Sequence, residues 1–390
     1  MSDNSVLKVV RQYWYMAALV LIVLIALWYR MGIIDSYIIP TYGNTMYHVG
    51  IERETILTGY YPTEELSYGG GFPHFYVPAY RLLIVSMCVA TGIDPMVMSG
   101  LMTIVLGIMV MLVIYAVAYR LSHNLYIALF AAFFFIMSPD ITIYTIRPLP
   151  EILGLFMVPF TLLFVISEKW SLAAISAGIT ALTHQMTLLT LVSIIGVYMV
   201  FQLVRAVWAY FRKKEDRDAY MKPFRTALWC LAPILTACLT YAVWMMYSMG
   251  SLDIMGIAQV ANHEGNVVDI ALFLRVGIFV LLFTIIGLIF IIDELFGSKS
   301  APAAGAKKSE YGYSVSKDSA LLVVAWAVIT LLLTFNDKIF YLFPDHKFLI
   351  FPNFMDRYLT FFAQICIIIA AFGMYYLLRA LDLDVLKEKP

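Results

Sequence analysis

The sequence predicts an all-α integral membrane fold of about ten transmembrane helices, with a long first outer loop that carries interfacial helices. Three observations lead there. Of 390 residues, 62% are hydrophobic and only 13% charged, more apolar side chain than a soluble core of this size needs. Apolar runs of membrane-crossing length recur along the chain, and the basic residues between them fall mostly on alternate connections. The 26 basic and 26 acidic residues cancel, so nothing in the balance points to a nucleic-acid partner, and none is expected. Residues 1–390 read as a single membrane domain.

A bilayer core about 30 Å thick takes roughly 20 helical residues at about 1.5 Å each. By that ruler Tyr13 to Ile34, Met96 to Tyr119, Ala227 to Tyr247, Ile270 to Ile292 and Tyr358 to Leu378 are clear spans. Asn124 to Met137, Ile152 to Ile166 and Leu321 to Phe335 are shorter spans that flanking aromatics extend. Trp170 to Trp208 is about twice a span and is read as two helices turning at Thr183, His184 and Gln185, which brings the expected count to ten. Pro78 to Ala90 is too short to cross. It opens on proline, carries Arg81 and stops at Gly92, so it is read as a helix lying at the membrane surface within an outer segment 35–95.

Charge tests this assignment. With the N-terminus inside and ten spans, 18 of the 26 basic residues fall on cytoplasmic segments, including the cluster Arg205 to Arg225. Making Pro78 to Ala90 a span would turn that cluster outward. The first apolar run is full length with no small-residue cleavage site after it, so it is expected to stay as an anchor. The segment 298–309, rich in Ala, Gly, Pro, Ser and Lys, reads as a flexible cytoplasmic linker. Cys88, Cys230, Cys238 and Cys366 sit in apolar runs without metal-type spacing and read as packing residues.

The first outer loop, Asp35 to Pro78, is 44 residues long, and long ordered loops are often functional. Thr45 to Thr58 reads as a helix with Asn44 at its N-cap. On it Asn44, His48, Glu52 and Thr55 fall on one stripe opposite Met46, Val49 and Ile56. Such a stripe orients hydroxyls and phosphates, or is simply a solvated face. After it come Tyr60, Tyr61, Tyr68, three glycines, His74 and Tyr76. The glycines lack the Lys and Ser/Thr of a phosphate loop, and the aromatics read either as an interfacial belt or as faces for stacking an amphiphilic substrate.

The order Gly43-Asn44-Thr45-Met46-Tyr47-His48, then Tyr61-Pro62, then Gly71-Phe72-Pro73-His74-Phe75-Tyr76-Val77-Pro78, resembles the polytopic glycosyltransferases of the GT-C superfamily, in the manner of protein mannosyltransferases and aminoarabinose transferases. Ser138-Pro139, Arg147-Pro148-Leu149-Pro150-Glu151, Leu182-Thr183-His184 and Arg357 extend the likeness over most of the chain. The resemblance implies a polyprenyl-phosphate-linked sugar as donor, membrane lipids as surroundings, an acceptor on the outer face and inversion at the anomeric carbon.

Residue by residue, the resemblance implies a catalytic group from Asn44, His48, Glu52 and Glu151. Arg357, Arg147 and His184 are implied at the donor phosphate, and Tyr68, His74, Tyr76 and Arg81 at the substrate. The family has an acid where Asn44 stands, and an amide accepts no proton. Three explanations stay open: a change from Asp that inactivates, an acid relocated to Asp35 or Glu52, or altered catalysis. For Glu151 the plainer role is a charge at a helix N-terminus. For Arg357 it is an ion pair with Asp356, for His184 a satisfied buried histidine, and for Arg275 snorkelling to the interface. No cofactor is expected. A divalent cation ranks second, because the Trp-Trp-Asp sequence and large C-terminal domain of the metal-binding oligosaccharyltransferases are not found here. The rival to a transferase is a non-catalytic lipid- or glycan-binding protein, flippase or transporter on the same scaffold.

Overall fold

The structure, a computed structural model, describes residues 3–37, 44–64, 76–212, 216–250, 270–296, 315–335 and 355–381. All regular structure among them is helical. In chain order the helices are α1 (Asp3–Ile34), α2 (Thr45–Thr58), α3 (Ala79–Thr91), α4 (Pro95–Ser122), α5 (Leu125–Ile136), α6 (Pro139–Thr145) and α7 (Pro150–Ile166). They continue with α8 (Trp170–Ala181), α9 (Gln185–Arg212), α10 (Arg217–Met249), α11 (Ile270–Phe273), α12 (Ile278–Phe296), α13 (Lys317–Thr334) and α14 (Met355–Ala380).

Among the described residues six of these are long and apolar enough to cross a membrane, and α5 with α6, bent by 72° at Met137-Ser138, forms either a broken seventh span or a re-entrant loop. The chain is a multi-pass membrane protein. Three expected spans fall short of the ruler: Pro150–Ile166, Trp170–Ala181 and the apolar part of α12, Ile278–Ile292. Helix length therefore does not establish the count of ten. The expected linker 298–309 lies outside the described residues.

Local chemistry explains the boundaries. Asn124 caps α5 by accepting from the Tyr126 and Ile127 amides, and Asp94 caps α4 by accepting from Met96, with Pro95 at its first position. Gly59 and Gly92 end α2 and α3 in left-handed geometry, at φ of 77° and 74°. The turn expected at Thr183-His184-Gln185 separates α8 from α9. Ile270 to Ile292, however, is not one helix. It breaks through a 3-10 turn at Leu274–Val276 into Gly277, whose φ is 109°. A β-carbon there would stand 2.9 Å from the Met137 carbonyl oxygen, so backbone packing against the α5–α6 bend forces the break.

The main core is continuous from α4 and α5 through α7, α8 and α9 to α14, the most enclosed span. A smaller core of Tyr80, Ile84, Cys88, Met98, Met102, Leu106 and Ile152 seats α3 on α4 and α7. Helix α3, at 13 residues, is about 20 Å long and too short to cross. Buried Cys88, Cys230 and Cys366 act as packing residues, while Cys238 is exposed.

Candidate active site

Helix α2 turns its polar stripe inward. His48, Glu52 and Thr55 are buried while Met46 and Ile56 are exposed, so these three do not form a solvated face; Val49, expected on the opposite side, is buried too, and Asn44, expected on the stripe, is exposed. What receives it is α3. Arg81, with no exposed surface, donates from Nε and Nη2 to Nδ1 of His48 at 3.0 and 2.8 Å, and from Nη1 to the Tyr61 hydroxyl. Its guanidinium carbon lies 5.5 Å from the Tyr47 ring centroid and 5.0 Å from that of Tyr76, an aromatic cage that offsets burial of the charge. An arginine has no lone pair to offer, so Nδ1 of His48 is the acceptor and the imidazole proton of the neutral ring sits on Nε2.

One turn along α2, Glu52 accepts from the Ser99 hydroxyl at 3.2 Å through Oε2, while its buried Oε1 has no partner. Burial pushes its carboxyl up to about 8, against weaker opposing effects of the Ser99 bond and the Arg81 charge. Glu52 is therefore a protonated acid at neutral pH. Asn44 stands at the N-cap position, but its side chain is exposed and makes no capping bond. Tyr76 belongs to the Arg81 cage; Tyr68 and His74 lie outside the described residues.

The second half of the site forms where α7, the α8–α9 turn and α14 meet. Glu151, in the first turn of α7, is buried and ion-paired with Arg357 of α14. Arg357 thus pairs with Glu151; the side chain of Asp356, its expected partner, is outside the described residues. His184 stands with Nε2 3.8 Å from Glu151 Oε1, and its Nδ1 accepts from the Met186 amide at 3.2 Å, so Nε2 carries the proton toward Glu151. Burial pushes His184 down to about 4; Glu151 opposes this while Arg357 and Arg81 add to it, so the ring is neutral. Arg147 is half-buried, its guanidinium 4.8 Å from the Tyr144 ring centroid.

The two halves are joined. The Ala79 amide donates to the Leu182 carbonyl at 2.9 Å, tying the start of α3 to the α8–α9 turn. Burial pushes the Tyr80 hydroxyl well above its usual range, and the charges of both Glu52 and Glu151 push the same way. The expected residues His48, Glu52, Arg81, Glu151, His184 and Arg357 are thus brought into one buried region, with Asn44 at its edge.

Sequence reasoning missed several participants. Asp140, fully buried on α6, receives Arg275 at 2.6 Å and the Thr360 hydroxyl at 2.6 Å, so Arg275 does not simply snorkel but closes a buried ion pair. Its signal was an acid in the first turn after Ser138-Pro139. Arg30, counted as a flanking base, is fully buried at the end of α1, donating to Thr145 at 3.0 Å and lying 5.0 Å from the Phe135 centroid. Tyr80 and Ser99 carried no signal at all, and Tyr61 was marked only within Tyr61-Pro62, without a role. Among the described residues no three His, Cys, Asp or Glu side chains converge as a metal site.

No family model and no curated protein sequence matches this chain. Solved structures do. The oligosaccharyltransferase of Archaeoglobus fulgidus in the apo form superposes with a TM-score of 0.61 at 13% identity, over 97% of this chain and 53% of that one. The same organism's oligosaccharyltransferase AglB, in complex with an inhibitory peptide and a dolichol-phosphate, gives 0.50 at 13% identity, over 98% and 53%. ArnT from Cupriavidus metallidurans, bound to undecaprenyl phosphate, gives 0.56 at 14% identity, over 93% and 60%. The fold is GT-C. The likeness runs along almost all of this chain, while the chain spans only a little over half the length of these neighbours. At such low identity it fixes the architecture and leaves the chemistry to the residues.

Proposed function

We propose that this protein transfers a sugar from a polyprenyl-phosphate donor to an acceptor hydroxyl at the outer membrane face. The observation that carries the reading is the buried junction of Glu151, Arg357 and His184, joined to Arg81 and His48, inside a GT-C fold. The neighbours crystallised with dolichol-phosphate and undecaprenyl phosphate supply the donor class.

In this mechanism the acceptor oxygen attacks the anomeric carbon with inversion. The bond from that carbon to the phosphate oxygen breaks, and its electron pair leaves on the lipid phosphate. Arg357 and Arg147 stabilise that charge through guanidinium hydrogen bonds. The acceptor proton goes to the carboxylate of Glu151, which Arg357 pairs with and His184 faces. Protonated Glu52 and neutral His184 are hydrogen-bonding groups at neutral pH. Arg81, caged by Tyr47 and Tyr76, holds His48 in place beside the junction.

A second reading, a non-catalytic lipid- or glycan-binding protein or flippase, has one observation in its favour. The exposed Asn44 amide and the protonated Glu52 leave the stripe of α2 with no ionised acid at neutral pH. Incubating purified protein with radiolabelled polyprenyl-phosphate sugars and membrane lipid acceptors separates the two. Turnover is expected in the native chain or in Asn44→Asp, and Glu151→Gln is expected to lower it by about 10²- to 10⁴-fold, the range of a lost general base. Lipid binding with no turnover in either protein sinks the transferase reading for the donors tested.

A further inference from the structure

A cavity lies far from the candidate active site. Glu151 and Glu168 mark the two sites and are separated by the length of α7, about 25 Å. The cavity has a volume of about 420 Å³ and sits where α4 and α7 end and α8 and α13 begin, with α9 and α10 alongside. That volume is in the range of small-molecule sites.

Its lining is chemically divided. The inner wall is apolar and aromatic, with Val165, Leu322, Trp170 and the buried Tyr198. The mouth carries Arg120, Lys222, Glu168 and Asp318. Asp318 is already committed, since it receives Arg205, accepts from Gln202 at 2.9 Å and has Lys222 at 3.8 Å. Among the described residues Arg120 has no carboxylate partner; its Nε donates to the Ser167 hydroxyl at 3.1 Å, and its terminal nitrogens are open to a ligand. Lys222, at 3.8 Å from an acid that two other groups already satisfy, is held loosely. Tyr198 accepts from Gln202 at 2.9 Å, which leaves its own hydroxyl proton to donate.

Two helices end at this cavity. His123 and Glu168, at φ of 51° and 55°, close α4 and α7 in the left-handed geometry usual at helix C-termini, and both line it.

We infer that this cavity binds a phosphate-bearing headgroup, with Arg120 and Lys222 on the phosphate oxygens and the apolar wall against the adjoining carbon atoms. A guanidinium fork with an ammonium beside it matches phosphate geometry. Glu168, the lining acid with no cation partner, suits a headgroup that carries a hydroxyl or ammonium donor beyond its phosphate. The site stands whether or not the chain is a transferase.

The test is equilibrium binding of tritiated dioctanoyl phosphatidylglycerol to the full chain in a non-ionic detergent. Saturable binding is expected, displaced by unlabelled lipid and not by dioctanoylglycerol, which lacks the phosphate. Arg120→Gln and Lys222→Gln are each expected to weaken it at least tenfold, with an unliganded thermal midpoint equal to that of the native chain. Thr226→Phe fills the cavity from α10 without changing charge and is expected to abolish binding even if a charge variant fails to fold. Arg225→Gln, a basic residue outside the cavity, is expected to bind as the native chain does. Displacement by sn-glycerol 3-phosphate at similar concentration identifies a free phosphate ester as the ligand, and its failure to displace identifies the lipid. Unchanged binding in the Arg120, Lys222 and Thr226 variants, equal loss in Arg225→Gln, or displacement by dioctanoylglycerol overturns the inference.

Discussion

Glu52 is a buried acid whose proton is kept by its surroundings, and that gives the folded state a pH signature. Its ordinary pKa is 4.5, and burial raises it to about 8. Between those values the unfolded chain has lost the proton while the folded chain still holds it. Stability contributed at this residue therefore falls as pH rises from about 4.5 to 8 and levels off above that. Glu52→Gln keeps the Ser99 contact without an ionisable group, so it is expected to flatten this fall and to exceed the native chain in thermal midpoint above pH 8. Midpoints measured from pH 5 to 9 check this; parallel curves for the two proteins would mean that Glu52 is ionised in the fold. The same residue shows what single positions in the sequence reveal. The spacing of His48, Glu52 and Thr55 was legible, because 3.6 residues per turn put them on one side. Its direction was not, because a polar stripe facing a buried arginine has the same pattern as one facing water. Arg30 escaped for a related reason: an arginine in the last turn of an apolar run reads as an interface anchor until Phe135 and Thr145 are seen around it.

At the scale of elements, the α12–α14 contact is the closest helix crossing that glycine makes possible. A β-carbon at Gly287 would stand 2.0 Å from the Ile369 carbonyl oxygen, and one at Gly373 would stand 2.1 Å from that of Phe283. Both clashes are with backbone, so no rotamer change relieves them and the helices have to separate. Packing rather than a hydrophobic drive holds helices together in lipid, and small residues permit the close approach. Separation would also break the Thr284 hydroxyl bond to the Cys366 carbonyl at 2.9 Å. Gly373→Ala is expected to destabilise the protein by about 1–3 kcal/mol, the usual range for overpacking, and Gly373→Ser to cost at least as much. Gly100→Ala, where a β-carbon meets nothing within 4 Å, is the matched control. Equal thermal midpoints for all three would contradict the close crossing. Most helices were legible from apolar runs and their caps, as at Asn124 and Gly92. The break at Gly277 was not, because its cause is the carbonyl of Met137, more than a hundred residues earlier in the chain. Likewise Arg357 and Glu151, 206 residues apart, were each visible as candidates while their pairing was not.

For the molecule as a whole, the number of crossings decides which membrane face each site meets. Helix α8 has only 12 residues and rises about 18 Å, and α7 has 17 and rises about 25 Å. Both fall short of a full hydrocarbon core, yet both run between the level of Glu151 and His184 and the level of the Arg120 cavity. A site recessed below the surface reconciles the two facts. If the α8–α9 turn that carries His184 stops short of the headgroups, α8 crosses what is left of the core in fewer residues, and α3, tied to that turn through Ala79 and Leu182, covers it. Charge supports the same arrangement, because Arg120, Lys169 and the Arg205 to Arg225 cluster then share the cytoplasmic side. The prediction concerns Tyr60, Lys169 and Asp216, each replaced singly by cysteine in a chain whose four native cysteines are changed to alanine. All three positions are exposed. Tyr60→Cys is expected to react with a membrane-impermeant maleimide in intact cells, and Lys169→Cys and Asp216→Cys only after permeabilisation. Lys169 is the informative position, because it follows α7 and so reports whether α5 with α6 and then α7 each cross. Labelling of Lys169→Cys from outside would remove one crossing, reverse the side of everything after it, and move the Arg120 cavity to the same face as Glu151.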